Sequence, residues 1–407
     1  MNTLATEAFD AIILGAGPAG TASAIRLAQA GWSVALVEKS QFPRRKVCGE
    51  FLAAATLPLL DALGVAASFL EIAGPPVREV AIFAADRVLR APMPAAAADL
   101  PWGRALCRER LDTLLRDRAV AVGATLWQPW RAGPMERHGS IFGCRIESRG
   151  SGENRVLQAP IVIDAGGSWE PRASEAGQER GGAGSVDLLA FKRHFTHTAL
   201  PDGLMPLLAF PGGYGGLVHS DAGHVSLSCC IRRDRLLDCR LRFPRCRAGD
   251  AVLAHILYHC RGARDALTAA APAHGWLGAG PLRPGIRDVY QDGVFKVGNA
   301  AGEAHPVVAE GISMAIQGAW LLSCLLLRHR QVPSGTALAS VGAAYRHAWR
   351  AAFATRIRFA ALCAQLAMRP AMAAGILRLL QAYPTLLTRC ARISGKTARV
   401  QGIREVH

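Results

Sequence analysis

The chain has 407 residues, of which 51% are hydrophobic, so it is long enough to bury one large core or two cores that share an interface. Its formal net charge of +16 comes from 42 arginines and 5 lysines that are spread along the chain without interleaved aromatic residues. This pattern argues against a nucleic-acid-binding protein and predicts at most a weak peripheral association with anionic membrane surfaces.

The 11 cysteines show no metal-binding pattern. Their spacing is irregular, no Cys-x-x-Cys occurs, and the adjacent Cys229 and Cys230 suit a strand better than a ligand pair. We therefore expect reduced thiols, a cytoplasmic protein and no metal site. The first residues lack a basic segment followed by an apolar one, so we expect no signal peptide.

Residues 9–38 predict a strand, a glycine-rich turn, a helix and a second strand. Ala11–Leu14 is a short apolar run typical of a buried parallel strand, and Thr21–Ala30 has helical character and ends at Gly31. Val34–Val37 is the second strand. The turn reads Gly15-Ala16-Gly17-Pro18-Ala19-Gly20, and Gly-x-Gly-x-x-Gly at this place in a βαβ unit predicts a dinucleotide-binding site.

The residues of this unit suit a dinucleotide for separate physical reasons. Gly15 permits a tight turn, Gly17 lets a pyrophosphate approach the backbone, and Gly20 lets the helix pack close to the sheet. The helix N-terminus offers unpaired N–H groups to the phosphates. Glu38, followed by Lys39, ends the second strand and is expected to accept hydrogen bonds from the adenosine ribose. The unit alone does not distinguish FAD from NAD.

Three further segments carry polar residues next to predicted elements. Pro43–Glu50 reads Pro-Arg-Arg-Lys-Val-Cys-Gly-Glu and directly follows the second strand; its basic residues can approach a pyrophosphate or an incoming NADPH. Arg108–Asp112 opens a predicted helix. Ile161–Ser168 is a buried strand that ends in glycines.

The middle of the chain predicts a sheet and offers little evidence for other chemistry. Phe210–Leu217 precedes an alternating stretch and predicts hairpins. His255 and His259 are four residues apart on a predicted helix, but without His-Glu-x-x-His a structural role is favoured. Gly-x-Ser-x-Gly is absent, which argues against a serine hydrolase. Trp127 and Trp130 do not form the Trp-x-Trp-x-Ile-Pro signature of flavin halogenases, so halogenation is not expected.

A second small-residue turn lies near the end of the chain. Phe295–Gly302 ends an apolar strand and enters this turn, His305-Pro306 follows, and Glu310–Ala315 opens a helix. The apolar run Ile312–Leu327 is shorter than a membrane span and predicts a buried helix. Residues 328–407 predict helices rich in Ala, Leu and Arg that are separated at Pro370 and Pro384.

These segments together resemble the superfamily of geranylgeranyl reductases and para-hydroxybenzoate hydroxylases. The Gly298–Gly302 turn is similar to the second FAD signature of that family, in which an acid binds the ribityl chain; this chain has Asn299 there. The Lys46-Val47-Cys48-Gly49-Glu50 segment and the Arg108 helix resemble family segments that lie beside the isoalloxazine and the FAD pyrophosphate. In Ile161–Ser168, Gly166 replaces the family aspartate, which leaves the electron donor open.

The resemblance implies FAD as the cofactor and NAD(P)H as the electron donor. Arg108 either lies beside the pyrophosphate or is an ordinary solvated arginine. Cys48 either lies near the flavin or is a small buried thiol that only packs, and Tyr214 either lines the substrate cavity or packs on the sheet. The residues expected to bind FAD are Gly15, Gly17, Pro18, Ala19, Gly20, Glu38, Lys39, Lys46, Arg108, Gly298, Asn299, Gly302, Pro306, Gly311 and Ile312.

The expected architecture is an α/β fold with a Rossmann-type, glutathione-reductase-like FAD-binding domain, an inserted antiparallel substrate sheet and a helical C-terminal tail. The FAD-binding domain takes residues 1–75, 100–170 and 275–327, and the substrate domain takes 76–99 and 171–274. Residues 328–407 form the tail, which either caps the substrate cavity or offers an apolar face to a membrane or a partner.

The function expected from this resemblance is that of an FAD-dependent oxidoreductase. We favour an NAD(P)H-driven monooxygenase, a hydroxylase acting on an apolar secondary metabolite such as a polyketide or an isoprenoid. A C=C reductase of the geranylgeranyl reductase type and a non-redox cyclase or isomerase of the lycopene-cyclase type stay open. A plain NAD-dependent dehydrogenase with the same βαβ unit is the remaining rival.

Overall fold

The computed structural model describes residues 5–95, 102–168, 184–329 and 331–400. The helices of these residues are α1 (Pro18–Gln29), α2 (Leu57–Ala62), α3 (Ala66–Ile72), α4 (Arg108–Ala121), α5 (Arg233–Arg242), α6 (Ala248–His259), α7 (Arg261–Ala266), α8 (Gly311–Leu326), α9 (Gly335–Ala367), α10 (Pro370–Ala382) and α11 (Thr385–Ile393).

The strands fall into three larger sheets and two short pairs. They are β1 (Thr6–Ala8), β2 (Ala11–Leu14), β3 (Val34–Val37), β4 (Phe51–Leu52), β5 (Glu79–Ala84), β6 (Arg87–Pro92), β7 (Arg104–Ala105), β8 (Thr125–Trp127), β9 (Trp130–His138), β10 (Ile141–Ser148), β11 (Asn154–Ala159), β12 (Ile161–Asp164), β13 (Leu188–Thr196), β14 (Leu204–Phe210), β15 (Gly213–His219), β16 (Val225–Arg232), β17 (Ala271–Pro272), β18 (Leu277–Leu282), β19 (Gly285–Ile286), β20 (Tyr290–Gln291), β21 (Val294–Lys296) and β22 (Gly302–Glu303).

The central sheet has the strand order β20-β21-β12-β2-β3-β8, and every pair except β20–β21 is parallel. Its middle strands are almost wholly apolar because both faces are covered: α1 and α8 pack on one face. The four-stranded sheet β1-β11-β10-β9 covers the other face, where Phe142 and Ile146 meet Ile12. The predicted βαβ unit is confirmed as β2, α1 and β3.

The largest sheet has the order β17-β13-β16-β15-β14-β5-β6, with β18 also pairing with β13. The prediction of an antiparallel sheet was wrong for one pair: β5 and β14 are parallel. These strands come from the two separated segments of the predicted substrate domain, so a long connection joins them and a parallel pairing becomes available. The sheet also extends past the predicted boundary at residue 275, because β18 belongs to it.

Two groups of helices cover the largest sheet. Helices α5–α7 pack on one face, with Val252 and Ile256 against Leu208 and Leu227. Helices α9–α11 lie over the opposite face, where Tyr214 and Ala364 belong to one buried apolar cluster. The predicted breaks at Pro370 and Pro384 are confirmed as the starts of α10 and α11, and the run Ile312–Leu327 is α8.

Membrane-spanning helices were sought among the described residues. No single helix there combines the length and hydropathy of a span, and only α9 together with α10 passes, across a bend of 108°.

Candidate cofactor and substrate cavity

A cavity of about 730 Å³ lies at the carboxyl ends of β2, β12 and β21. Open α/β sheets bind their ligands at this edge. The cavity continues from the glycine turns to the space between the largest sheet and the C-terminal helices. Most of the predicted site residues line it: Gly17, Pro18, Ala19, Lys46, Cys48, Arg108, Tyr214, Gly298, Asn299, Gly302, Pro306, Gly311 and Ile312.

In the first glycine turn, the fold requires glycine at Gly15 and Gly20, whereas Gly17 faces the cavity. Gly15 has a φ of +104°, and a Cβ there would lie 2.6 Å from the Ala165 carbonyl oxygen. A Cβ on Gly20 would lie 1.8 Å from the Gly15 carbonyl oxygen, so the helix can approach the sheet only without a side chain. A Cβ on Gly17 would meet only the Arg108 Nη2, at 3.8 Å. Gly17 therefore leaves room on the cavity side, as a close-lying phosphate requires.

Two helices begin at the cavity without a capping side chain. Helix α1 starts after Gly17 and α8 starts at Gly311, and neither N-terminus carries a side-chain cap. The first N–H groups of a helix have no partner inside the helix, and the positive end of the helix dipole attracts negative charge. A Cβ on Gly311 would meet nothing within 4 Å. The two N-termini and the space beside them fit a dinucleotide cofactor, whose phosphates the uncapped N–H groups of α1 would hold.

Glu38 and Lys39 lie outside the cavity lining. The Glu38 carboxylate is buried and accepts hydrogen bonds from the backbone N–H groups of Ala16 (2.9 Å) and Ser40 (2.8 Å). It therefore stabilises the first glycine turn. Its Oε2 also accepts the Arg44 Nη2 (3.5 Å), and its Oε1 keeps a lone pair that a ribose hydroxyl can use. Lys39 is exposed. Ribose binding by Glu38 and cofactor binding by Lys39 stay predictions.

Arg108 is a buried arginine at the start of α4. Its Nε and Nη2 each donate to the Asp112 carboxylate at 2.7 Å, so it is not the ordinary solvated arginine that the sequence also allowed. Burial alone would lower the pKa of Arg108, but Asp112 raises it, so the guanidinium stays charged. Burial and the charges of Arg108 and Arg44 lower the pKa of the neighbouring Lys46 to about 8. These cations favour an anionic ligand beside Gly17.

A buried ionic cluster lies behind the segment of Cys48. The Glu50 carboxylate binds the Lys192 ammonium and the His194 Nε2 (2.8 Å), and it accepts the backbone N–H of Arg108 (3.2 Å). Burial would raise the pKa of Glu50, but His194 and Lys192 lower it to about 2. Cys48 is half-buried, lines the cavity and accepts the Glu50 N–H at 3.4 Å. The cluster fixes the backbone that presents Cys48 to the cavity.

A second polar chain also lines the cavity and consists of Asn299, Ser168 and Glu303. The Asn299 side-chain amide donates to the Ser168 hydroxyl (3.0 Å), which donates to the Glu303 carboxylate (2.9 Å). Burial raises the pKa of Glu303, although Ser168, Arg287 and Lys46 favour its charged form. The predicted residue Asn299 thus faces the cavity within a network that contains a carboxyl group.

Tyr214 both lines the cavity and packs on the sheet. It is 1% exposed, and its hydroxyl makes a hydrogen bond of 3.1 Å with the His305 Nδ1. Burial raises the pKa of Tyr214 well above its usual value and lowers that of His305, so both are neutral near pH 7.

Sequence reasoning missed four site residues: Ser168 as a hydrogen-bonding residue, Lys192, His194 and Glu303. A usable signal existed for two of them. In β13, Leu188, Ala190, Lys192 and His194 alternate along one face, and all are buried. This period of two places Lys192 and His194 in the interior, where a charged residue requires a partner. No comparable periodicity marks Glu303, whose strand has only two residues.

The sequence predicts no metal site, and it predicts a structural role for His255 and His259, which lie outside the cavity lining. Among residues 5–95, 102–168, 184–329 and 331–400, no cluster of His, Cys, Asp or Glu has the arrangement of a metal site. His255 and His259 lie side by side on α6, and the His255 Nε2 bonds the Pro211 carbonyl at 3.0 Å. This is the structural role that the sequence favours.

The far half of the cavity is apolar. Its sheet wall includes Ile82, Leu207 and Leu217, and its helical wall includes Leu366 and Leu377. Such a volume suits a ligand with a long hydrocarbon portion and excludes water from it.

The fold and the cavity define a dinucleotide-binding α/β protein with a second, sheet-walled ligand chamber. The model of the FAD binding domain family matches residues 8–360. The chain belongs to this family, and it is an FAD-dependent oxidoreductase.

Several known proteins are similar to this chain. Conditioned medium factor receptor 1 of Dictyostelium discoideum is 25% identical over 79% of this chain and 63% of its own length. The digeranylgeranylglycerophospholipid reductase of Methanocaldococcus jannaschii is 25% identical over 76% of this chain and 74% of its own. The structure of the myxobacterial chondrochloren halogenase aligns with a TM-score of 0.76 at 17% identity, over 96% of this chain and 92% of that one. This last likeness shows the fold alone.

Proposed function

We propose that the protein uses FAD to reduce a carbon–carbon double bond in a long apolar substrate, such as an isoprenoid lipid. The observation that carries the proposal is the continuous cavity, which joins the two glycine turns to an apolar chamber walled by the largest sheet and α9–α11. The similarity to a reductase of an isoprenoid phospholipid supports this substrate class. When bound, the flavin supplies the hydride.

The protein side chains and helix termini divide the work of binding FAD. The N-terminus of α1, Gly17 and the charged Arg108 would hold the pyrophosphate, and Asn299 would hydrogen-bond the ribityl chain. The N-terminus of α8 would stabilise negative charge on a reduced ring. We propose NAD(P)H as the electron donor, with Lys46 and its neighbouring arginines as the cations that attract it.

Hydroxylation of the same apolar substrate is the second candidate. The apolar walls of the chamber that suits a polyprenyl chain also limit the access of bulk water to oxygen chemistry. The two reactions differ in their products, because reduction adds two hydrogens and hydroxylation adds one oxygen atom.

The test is anaerobic reduction of the purified flavoprotein with NADH or NADPH, followed by addition of a polyprenyl lipid. We expect stoichiometric reoxidation of the flavin without oxygen and a product with two more hydrogens. An oxygen-containing product formed only after admission of air would select hydroxylation. Product formation without net consumption of the donor would select non-redox cyclisation or isomerisation.

We also propose that the protein associates weakly with the anionic, cytoplasmic face of a membrane through α10 and α11. Leu362 and Leu379 line the cavity and are still 55% and 50% exposed, so they border its opening, and Ile393 is 50% exposed. Residues 311–404 contain no Asp or Glu, and Arg378, Arg389 and Arg392 are exposed. An apolar surface edged with unopposed cations suits anionic lipid headgroups.

Sedimentation with lipid vesicles tests this surface. Binding to vesicles with anionic lipid should exceed binding to zwitterionic vesicles and should weaken with salt. L379D with I393D should abolish it, whereas L241D, at a leucine that is 80% exposed on α5, should leave it unchanged. Equal losses in all variants, or equal binding to both vesicle types, would refute the proposal.

A further inference from the structure

Glu303 is a buried carboxyl group that is not among the residues proposed to hold FAD. It is 6% exposed and lines the cavity between the second glycine turn, Gly298–Gly302, and the wall formed by the largest sheet. Its Oε2 accepts the Ser168 hydroxyl at 2.9 Å, and Ser168 accepts the Asn299 amide at 3.0 Å. An amide N–H only donates, so Ser168 accepts from Asn299 and keeps its own proton available for the Glu303 Oε2.

The groups around Glu303 leave it only partly compensated. Arg287 lies 3.8 Å away, but its guanidinium also donates to the carbonyl oxygens of Asn299 (2.7 Å) and Arg283 (2.6 Å). Lys46 approaches from the loop after β3, and on the sheet side the acid is close to the neutral Tyr214 and Cys230. Burial outweighs these charges and raises the pKa of Glu303.

We propose that Glu303 is the proton donor of the reaction, placed at the junction of the cofactor and substrate halves of the cavity. This inference rests on the proposed reduction of a double bond. That reaction adds a hydride to one carbon and a proton to the other. The π electrons take the proton as the Glu303 O–H bond breaks, and Glu303 is left as a carboxylate. Ser168, Arg287 and Lys46 stabilise that carboxylate until water returns the proton.

The experiment compares wild-type holoenzyme with E303Q, E303D and the exposed control E136Q. The first readout is the infrared carbonyl stretch of a protonated carboxylic acid during a pH titration, which does not depend on turnover. We expect this band near neutral pH in wild type and E136Q and its loss in E303Q. We also expect E303Q to reduce the double bond about 100-fold more slowly, with E303D partly restored. FAD affinity and flavin reduction by NAD(P)H should change less than about twofold, because the proposed role lies after these steps.

The contrary outcomes are distinct. Absence of the band in wild type at neutral pH, or turnover of E303Q within about twofold of wild type, would overturn the role of Glu303. Loss of FAD affinity in E303Q as large as its loss of turnover would make Glu303 a cofactor-positioning residue instead. A wild-type enzyme that shows the band but reduces no double bond would refute the proposed function, and the proton transfer with it, while the neutral acid would stand.

Discussion

Glu50 and Glu303 line the same cavity and are both buried, yet their surroundings differ. Glu50 has an ammonium, an imidazole and a backbone N–H as partners, and they lower its pKa to about 2 in spite of burial. Glu303 has one hydroxyl, an arginine that is 3.8 Å away and shared with two carbonyl oxygens, and the charge of Lys46, and burial outweighs them and raises its pKa. The number of donors, more than the depth of burial, decides the direction in which the pKa of each carboxyl group shifts. Two such groups in one site are suited to separate roles in structure and proton transfer.

The largest effect is expected from E50Q. The substitution leaves the Lys192 ammonium, which is 2% exposed, without its carboxylate. Loss of one partner of a buried ion pair costs about 3–5 kcal/mol. Urea denaturation should therefore show a free energy of unfolding lower by this amount. The double variant E50L/K192M should recover most of it, because the buried ammonium is removed together with its carboxylate. If the free energy of unfolding of E50Q is within about 1 kcal/mol of the wild-type value, Glu50 and Lys192 do not form a stabilising pair.

The pH dependence of stability should have opposite signs at the two acids. The pKa of Glu50 falls from 4.5 to about 2 on folding, so its contribution of about 3 kcal/mol is complete above pH 4.5 and is lost as the pH falls toward 2. The pKa of Glu303 is raised, so its contribution is complete below pH 4.5 and is lost as the pH rises through its folded-state value. Unfolding free energies of wild type minus E50Q and wild type minus E303Q, measured against pH, check both slopes. If the two differences change with pH in the same direction, the pKa values of Glu50 and Glu303 do not shift in opposite directions on folding.

E303Q is not expected to lose stability near neutral pH. Glutamine has the shape of a neutral carboxylic acid, can still accept the Ser168 hydroxyl and is free of the cost that the raised pKa imposes on the wild type above pH 4.5, so the unfolding free energy should fall by less than about 1 kcal/mol or should rise. Urea midpoints of wild type and E303Q measure this. A destabilisation as large as that of E50Q would mean that Glu303 is an ionised structural residue.

The sequence predicted the cofactor half of the molecule well because local rules act there. Gly15 and Gly20 occupy positions where the structure leaves no room for a side chain, and the apolar runs of β2, β3 and β12 are those of a doubly covered parallel sheet. The family resemblance, and not these local rules, predicted that Cys48, Arg108 and Asn299 lie near the cofactor, and all three line one cavity.

The remaining features depend on contacts between distant segments. Lys192 and Glu50 are 142 residues apart, and Ser168 and Glu303 are 135 apart, so neither pair has a spacing that a motif can capture. The parallel pairing of β5 with β14 likewise joins segments whose connection no local pattern specifies. These features arise from the packing of the two halves and could be found only in the folded chain.

The central claim is that FAD lies between the first glycine turn and the segment Gly298–Gly311, and titration of FAD into G17V tests it most directly. Gly17 has an extended backbone (φ −76°, ψ 179°) that valine adopts, and its side chain would point toward the cavity. The matched control is G143V, in the strand β10 outside the cavity, where a Cβ meets nothing closer than 3.8 Å. We predict that G17V folds with wild-type stability but binds FAD about 10- to 100-fold more weakly, while G143V binds it normally. Normal FAD affinity in folded G17V would contradict the claim.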